Sequence, residues 1–121
     1  MGLGMVDGQL AGIRVLDLSR MVSGPLCGRL LSDLGADVIK IEPPEGDRTR
    51  TVPPFVDGVS PYYAQMNAGK RNVCLDLRAE GAVQVLARLA AGADVLLENF
   101  RAGVLARFGL DAPRCSPLIR S

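Results

Sequence analysis

Three short segments of this chain carry side chains able to hold charge. The first, residues 19–24, leads into Pro25, a residue suited to the first turn of a helix. Backbone N–H groups and the helix dipole there make a seat for a phosphate or carboxylate, with an ordinary strand–helix turn as the alternative. The segment is not a Walker loop, since no Gly-Lys-Ser/Thr follows, and it is not GxGxxG; Gly2 and Gly4 precede the first strand rather than follow it. The second segment strings together Glu98, Asn99, Phe100 and Arg101. An amide, a ring and a guanidinium in succession offer hydrogen bonds, a stacking surface and a phosphate partner, and Arg107 follows close enough to face the same way. The alternative is a plain strand end with a solvated Arg101 and a core Phe100. The third segment, residues 69–78, holds Lys70, Arg71 and Arg78, a cluster of a size that usually marks a solvated face. No two carboxylates are spaced as an acid and base pair. Asp17, Asp37, Asp76 and Asp94 lie in or beside predicted strands as structural groups. Glu42 ends the second strand, where a ribose-binding acid sits in dinucleotide folds.

What is missing narrows the chemistry further. The 121 residues include no His, which removes the commonest general base and metal ligand and excludes serine–histidine triads and histidine–zinc sites within the chain. Cys27, Cys74 and Cys115 are odd in number and form no CxxC pair, so neither a metal knuckle nor a disulfide scaffold is expected; they read as reduced thiols of a cytoplasmic protein. Formal net charge is +1, too small for a domain that binds nucleic acid by neutralising phosphates. Gly, Arg or Asp interrupts every apolar run before it reaches a membrane-spanning length, and residues 1–9 lack the basic and apolar blocks of a secretory signal.

These segments need a frame, and the hydrophobic pattern supplies one. Apolar residues make up 48% of the chain, enough for one domain's core. The run at 13–18 reads as a buried strand, and those at 36–41, 72–77 and 93–98 as further strands. Between them, Leu26, Cys27, Leu30, Leu31 and Leu34 share one face of a helix stopped by Gly35. Val83, Leu86, Leu89 and Ala90 share a face of another, over 80–91, stopped by Gly92. Short helices are predicted at 61–66 and 103–108, and the Pro-rich stretch 42–61 reads as a long loop of the kind that is often functional. Strands alternating with helices predict an α/β fold: a Rossmann-like, mostly parallel sheet with flanking helices, whose ligands gather at the carboxyl ends of the strands. Residues 1–9 read as a flexible lead-in and 111–121 as an irregular tail. A parallel sheet should not stop there with an uncovered edge, so the chain reads as the truncated N-terminal part of a larger fold.

Several segments together resemble one family. Residues 10–19 (LAGIRVLDLS), Gly24-Pro25, 34–44 (LGADVIKIEPP), Gly46-Asp47, 67–71 (NAGKR) and 93–101 (ADVLLENFR) are similar, in this order, to the N-terminal part of family III CoA-transferases. That family includes formyl-CoA transferase, carnitine CoA-transferase and α-methylacyl-CoA racemase. The resemblance spans 10–110 and implies a CoA-binding domain, with acyl-CoA as a substrate rather than a permanently bound cofactor, a carboxylic acid as second substrate, and a homodimer. It implies transfer of CoA between carboxylic acids through an acyl-aspartyl anhydride, or, in the racemase, exchange of the proton beside the thioester carbonyl. The CoA-contacting positions it carries over are Val22, Ser23, Leu75, Asp76, Leu77, Arg78, Asn99, Phe100, Arg101 and Arg107. Two positions depart from the family: Pro43 stands where several members have Arg, and Ala102 where Pro is usual. The family's catalytic Asp lies beyond the equivalent of residue 121, so no catalytic residue is assigned here, and the chain alone is expected to be inactive. A racemase-like fragment, a non-catalytic CoA-binding module and a non-functional remnant are the alternatives.

Overall fold

The computed structural model describes residues 8–110, so the predicted lead-in lies almost wholly outside the described residues, and the predicted tail and Cys115 lie outside them. Within them the elements run β1 (Arg14–Asp17), α1 (Ser23–Asp33), β2 (Asp37–Glu42), α2 (Pro61–Met66), β3 (Arg71–Cys74), α3 (Ala82–Ala91), β4 (Val95–Leu97) and α4 (Val104–Arg107). The four strands form one sheet in the order β3-β2-β1-β4, and every pairing is parallel. Leu16 lies opposite Ile39 and Leu96, which fixes the register of the three strands that meet in the centre. The α/β class and the parallel sheet therefore stand as read from the sequence. The 42–61 loop contains a 3-10 turn, Arg48–Thr51, which the periodicity did not reveal because Asp47 makes it: its side chain accepts the Thr49 N–H at 2.9 Å. None of the helices among the described residues is long and apolar enough to cross a membrane.

The sheet has two unlike faces, because alternate residues of a strand point to opposite sides. On one side Leu16, Leu18, Ile39 and Ile41 pack under α3, whose Leu86 and Ala90 are fully buried. On the other, Val15 and Val38 form a small apolar patch with Ala36, and half-buried Leu31 of α1 rests on it. Beyond that patch this second face turns polar, with Asp17, Lys40 and Glu42 all buried.

The second face corrects one expectation. The leucines of α1 were predicted to face the core, yet Leu26, Leu30 and Leu34 are 40%, 54% and 44% exposed. Gly24, Pro25 and Gly28 are the buried residues of this helix. A Cβ at Gly28 would lie 2.7 Å from Asp17 Oδ2 and 3.0 Å from Lys70 Cε; one at Gly24 would lie 2.1 Å from the Ser19 Cβ. The helix comes down on its glycines because the Lys70–Asp17 ion pair fills the space beneath Gly28 and the Ser19 side chain that beneath Gly24.

Candidate functional site

At the carboxyl ends of the strands lies a cleft of about 200 Å³. Leu18 follows β1, Pro43 follows β2, residues 75–78 follow β3, Phe100 follows β4, and Phe108 comes from the end of α4. Parallel strands bring these loops to one edge of the sheet, so the location is a consequence of topology. Ile41, Leu75, Leu77, Phe100 and Phe108 give the cleft its apolar lining, and Arg20, Glu45, Asp76 and Arg78 its charge. A second hollow of about 370 Å³ adjoins it, with Arg20, Pro43 and Glu45 common to both and Met21, Gly46 and Arg48 added.

The charged groups are arranged unevenly. The Arg78 N–H and Nε both donate to Asp76 Oδ1 at 3.0 Å, and its Nη2 lies 3.8 Å from Glu45 Oε2. Hydrogen bonds from Arg78 hold the Asp76 carboxyl below the usual carboxylate range. Arg20 is different. Its guanidinium sits 5.5 Å from the centre of the Phe100 ring and forms no ion pair among the described residues. A cation over an aromatic face beside an apolar cleft is chemistry suited to an anionic ligand that also carries a flat or greasy part.

Of the residues nominated from sequence, the cleft gathers Leu75, Asp76, Leu77, Arg78 and Phe100. Val22 and Ser23 lie exposed at the start of α1, and Arg101 and Arg107 are exposed beyond β4; these four line neither hollow. Asn99 is occupied by the chain itself: its Oδ1 accepts the Arg20 N–H at 2.9 Å and its Nδ2 donates to the Arg20 carbonyl at 2.8 Å. Arg20, Pro43, Glu45 and Phe108 were not chosen. Arg20 lies in the 19–24 segment and Pro43 and Glu45 in the 42–61 loop, both singled out for other reasons; that these side chains meet is decided only when four loops converge.

Two further readings are corrected. Glu42 is no ribose-binding acid. Its side chain is 4% exposed and accepts from five donors: the Asp47 N–H, Arg50 Nε and Nη2, the Tyr63 hydroxyl and Asn72 Nδ2. Burial raises its pKa, but these bonds, led by Arg50 and Tyr63, outweigh that and bring it down to about 2. Tyr63 is pushed up in turn by its own burial and by that carboxylate. The cations of 69–78 are not one solvated face. The Lys70 side chain is buried and donates to Asp17 Oδ2 at 2.8 Å, the Pro25 carbonyl at 2.9 Å and Asn67 Oδ1 at 2.8 Å, which uses all three of its ammonium protons. Arg71 instead pairs with Asp37, and Arg78 goes to the cleft. Cys27 and Cys74 are free and exposed.

The model of the family described as CoA-transferase family III matches residues 10–118. The succinate–glutarate CoA-transferase of Agrobacterium fabrum is 46% identical over 110 residues, covering 84% of this chain and 28% of its own length. The human succinyl-CoA:glutarate CoA-transferase is 43% identical over 103 residues, with 84% and 24% covered. A crystal structure of a CAIB/BAIF family protein from Brucella suis superposes with a TM-score of 0.86 at 42% identity, covering 94% of this chain and 32% of that one. The chain thus spans about a quarter to a third of the length of the proteins it matches. A match over nearly all of its length, with the same fold at this identity, leaves one conclusion: the chain belongs to CoA-transferase family III, as an N-terminal portion of its members.

Proposed function

We propose that this chain binds the CoA part of acyl-CoA thioesters within a family III CoA-transferase, with residues 10–110 acting as one CoA-binding unit. The observation that carries the reading is the cleft at the strand ends, where an apolar lining adjoins Arg78 and Arg20, the latter without an ion pair among the described residues. CoA carries phosphates, a flat base and a pantetheine arm, and each has a counterpart there: guanidinium groups, the Phe100 ring, and Leu75 with Leu77. Val22, Ser23, Asp76, Arg101 and Arg107 complete the proposed surface, while Asn99 holds the Arg20 backbone beside it. CoA thioester is here a substrate that comes and goes, and a carboxylic acid is the other substrate. Transfer between them runs through an acyl-aspartyl anhydride on an aspartate outside the residues assigned here, so this chain's part is to hold and orient CoA. The working protein is a cytoplasmic homodimer; its partners include neither nucleic acid nor membrane.

Thermal unfolding of the purified chain with and without CoA tests the reading. A ligand that binds only the folded form adds about 2.7 kcal/mol at a hundredfold excess over Kd, so the transition moves upward with CoA and less so in Arg78→Ala. A cooperative transition indifferent to millimolar CoA overturns it.

A further inference from the structure

Arg20 lies next to an unusual backbone feature. Met21, next to it, has φ +69°, the left-handed region that a long side chain rarely enters. Nothing local favours that conformation, so other parts of the molecule must hold it. Two side chains from distant elements do so. Asn99, just past β4, takes both backbone polar groups of Arg20. Asp47, from the loop after β2, accepts the Met21 N–H through Oδ2 at 3.3 Å. Asp47 is itself anchored, since the same Oδ2 accepts from Lys40 Nζ at 3.2 Å and Oδ1 accepts the Thr49 N–H and hydroxyl. Lys40 closes the ring by donating to the Ser19 carbonyl at 3.1 Å. The turn that carries Arg20 is therefore pinned on both sides, and its side chain stands over Phe100 where the two hollows meet.

We infer that Asn99 and Asp47 are positioning residues, holding the Arg20–Met21 turn in its left-handed form so that Arg20 presents its charge to an anionic ligand in the cleft. This rests on the CoA-binding reading for the ligand, but the clamp itself does not. Asn99 then acts through Arg20 rather than by touching the ligand. A flexible side chain on a free turn would point into the cleft only part of the time, and affinity falls with the fraction that is competent.

Amide hydrogen exchange at Arg20 and Met21, read by NMR alongside CoA titration, separates the clamp from the ligand. In the unmodified chain both amides exchange slowly. In Asn99→Ala both lose protection while amides of β1 and β2 keep theirs, and CoA affinity falls about tenfold, the order set by two neutral hydrogen bonds. Asn99→Asp keeps the acceptor for the Arg20 N–H and serves if the alanine variant does not fold. Adding Met21→Gly, which enters the left-handed region without steric cost, to Asn99→Ala restores most of the lost affinity. A merely supportive role for Asn99, or a direct contact with CoA, predicts no such rescue. Fast exchange at both amides in the unmodified chain, or an affinity loss that Met21→Gly leaves untouched, overturns the inference. Slow exchange in a chain that does not bind CoA keeps the clamp and sinks the CoA reading.

Discussion

The two faces of the sheet are stabilised by opposite means. Under α3, apolar residues meet apolar residues: Leu16, Ile39 and Leu86 are almost wholly buried and have no hydrogen bonds for their side chains to satisfy. Such a face tolerates rearrangement, because the burial it depends on is non-directional. Under α1, two buried ion pairs, Lys70–Asp17 and Lys40–Asp47, and the five-donor cage around Glu42 occupy the same depth. Each charge there is tolerated only because its partners stand at hydrogen-bond distance. The difference bears on function. The polar layer ties the loops after β1 and β2 to each other through Lys40 and Asp47, and the turn before β3 to β1 through Lys70 and Asp17, whereas the apolar face packs without prescribing where a loop must point. The cleft draws on both: its apolar lining, Leu18, Ile41, Leu75, Leu77, Phe100 and Phe108, belongs to the α3-side core, and the polar layer holds the turn that carries Arg20 beside it.

Removing one partner from the polar face should have the largest effect. Lys70→Ala leaves Asp17 buried and unpaired, and urea unfolding should report a loss of about 4 kcal/mol. The double variant Asp17→Leu with Lys70→Met, which makes this face resemble the other, should regain most of it, because apolar pairs of similar volume often replace buried ion pairs without loss. A loss below about 1 kcal/mol in Lys70→Ala would dissolve the contrast between the faces.

On the apolar face, Leu86→Ala removes a side chain with no exposed surface. It should cost about 3 kcal/mol by the same measurement, from lost transfer energy and the cavity left behind. CoA affinity should remain, since Leu86 touches neither hollow. Loss of binding in a folded Leu86→Ala chain would mean that the apolar face also positions the cleft.

The third difference is in acid. Glu42 has a folded pKa of about 2 against an ordinary 4.5, so the folded state favours its ionised form. Its contribution is complete above about pH 5 and is lost as the pH falls toward 2. It amounts to about 2 kcal/mol, allowing for screening at the half-exposed Arg50. Glu42→Gln should flatten that part of the stability–pH profile, whereas Leu86→Ala should shift the whole profile without changing its slope. Equal slopes in the unmodified chain and Glu42→Gln would count against the cage.

Much of the α3 face was legible in the chain. Leu86 and Ala90 recur at helical spacing, the β-branched runs mark the strands, and Gly92 stops the helix as expected. The α1 face was not. Leu26, Leu30 and Leu34 carry the stronger apolar signal, yet Gly24 and Gly28 face the sheet. Periodicity ranks residues by hydrophobicity and cannot register that a glycine is needed where an ion pair already fills the space. The site divides in the same way. Phe100 and Arg78, nominated by residue, line the cleft; Arg20 and Glu45 also line it, but their segments were singled out for a helix start and for prolines, which did not point to these side chains.

Local pattern was enough to establish the α/β class, the element order and the edge of the sheet at which the cleft opens, because periodicity and turn residues act over a few neighbours. Which charges are buried, and whose partners they are, was decided by the fold. Asp17 and Lys70 lie 53 residues apart, and Asn99 lies 79 from Arg20. Hydrogen bonds are short and directional, so pairs this distant in the chain exist only once the sheet has brought their loops together.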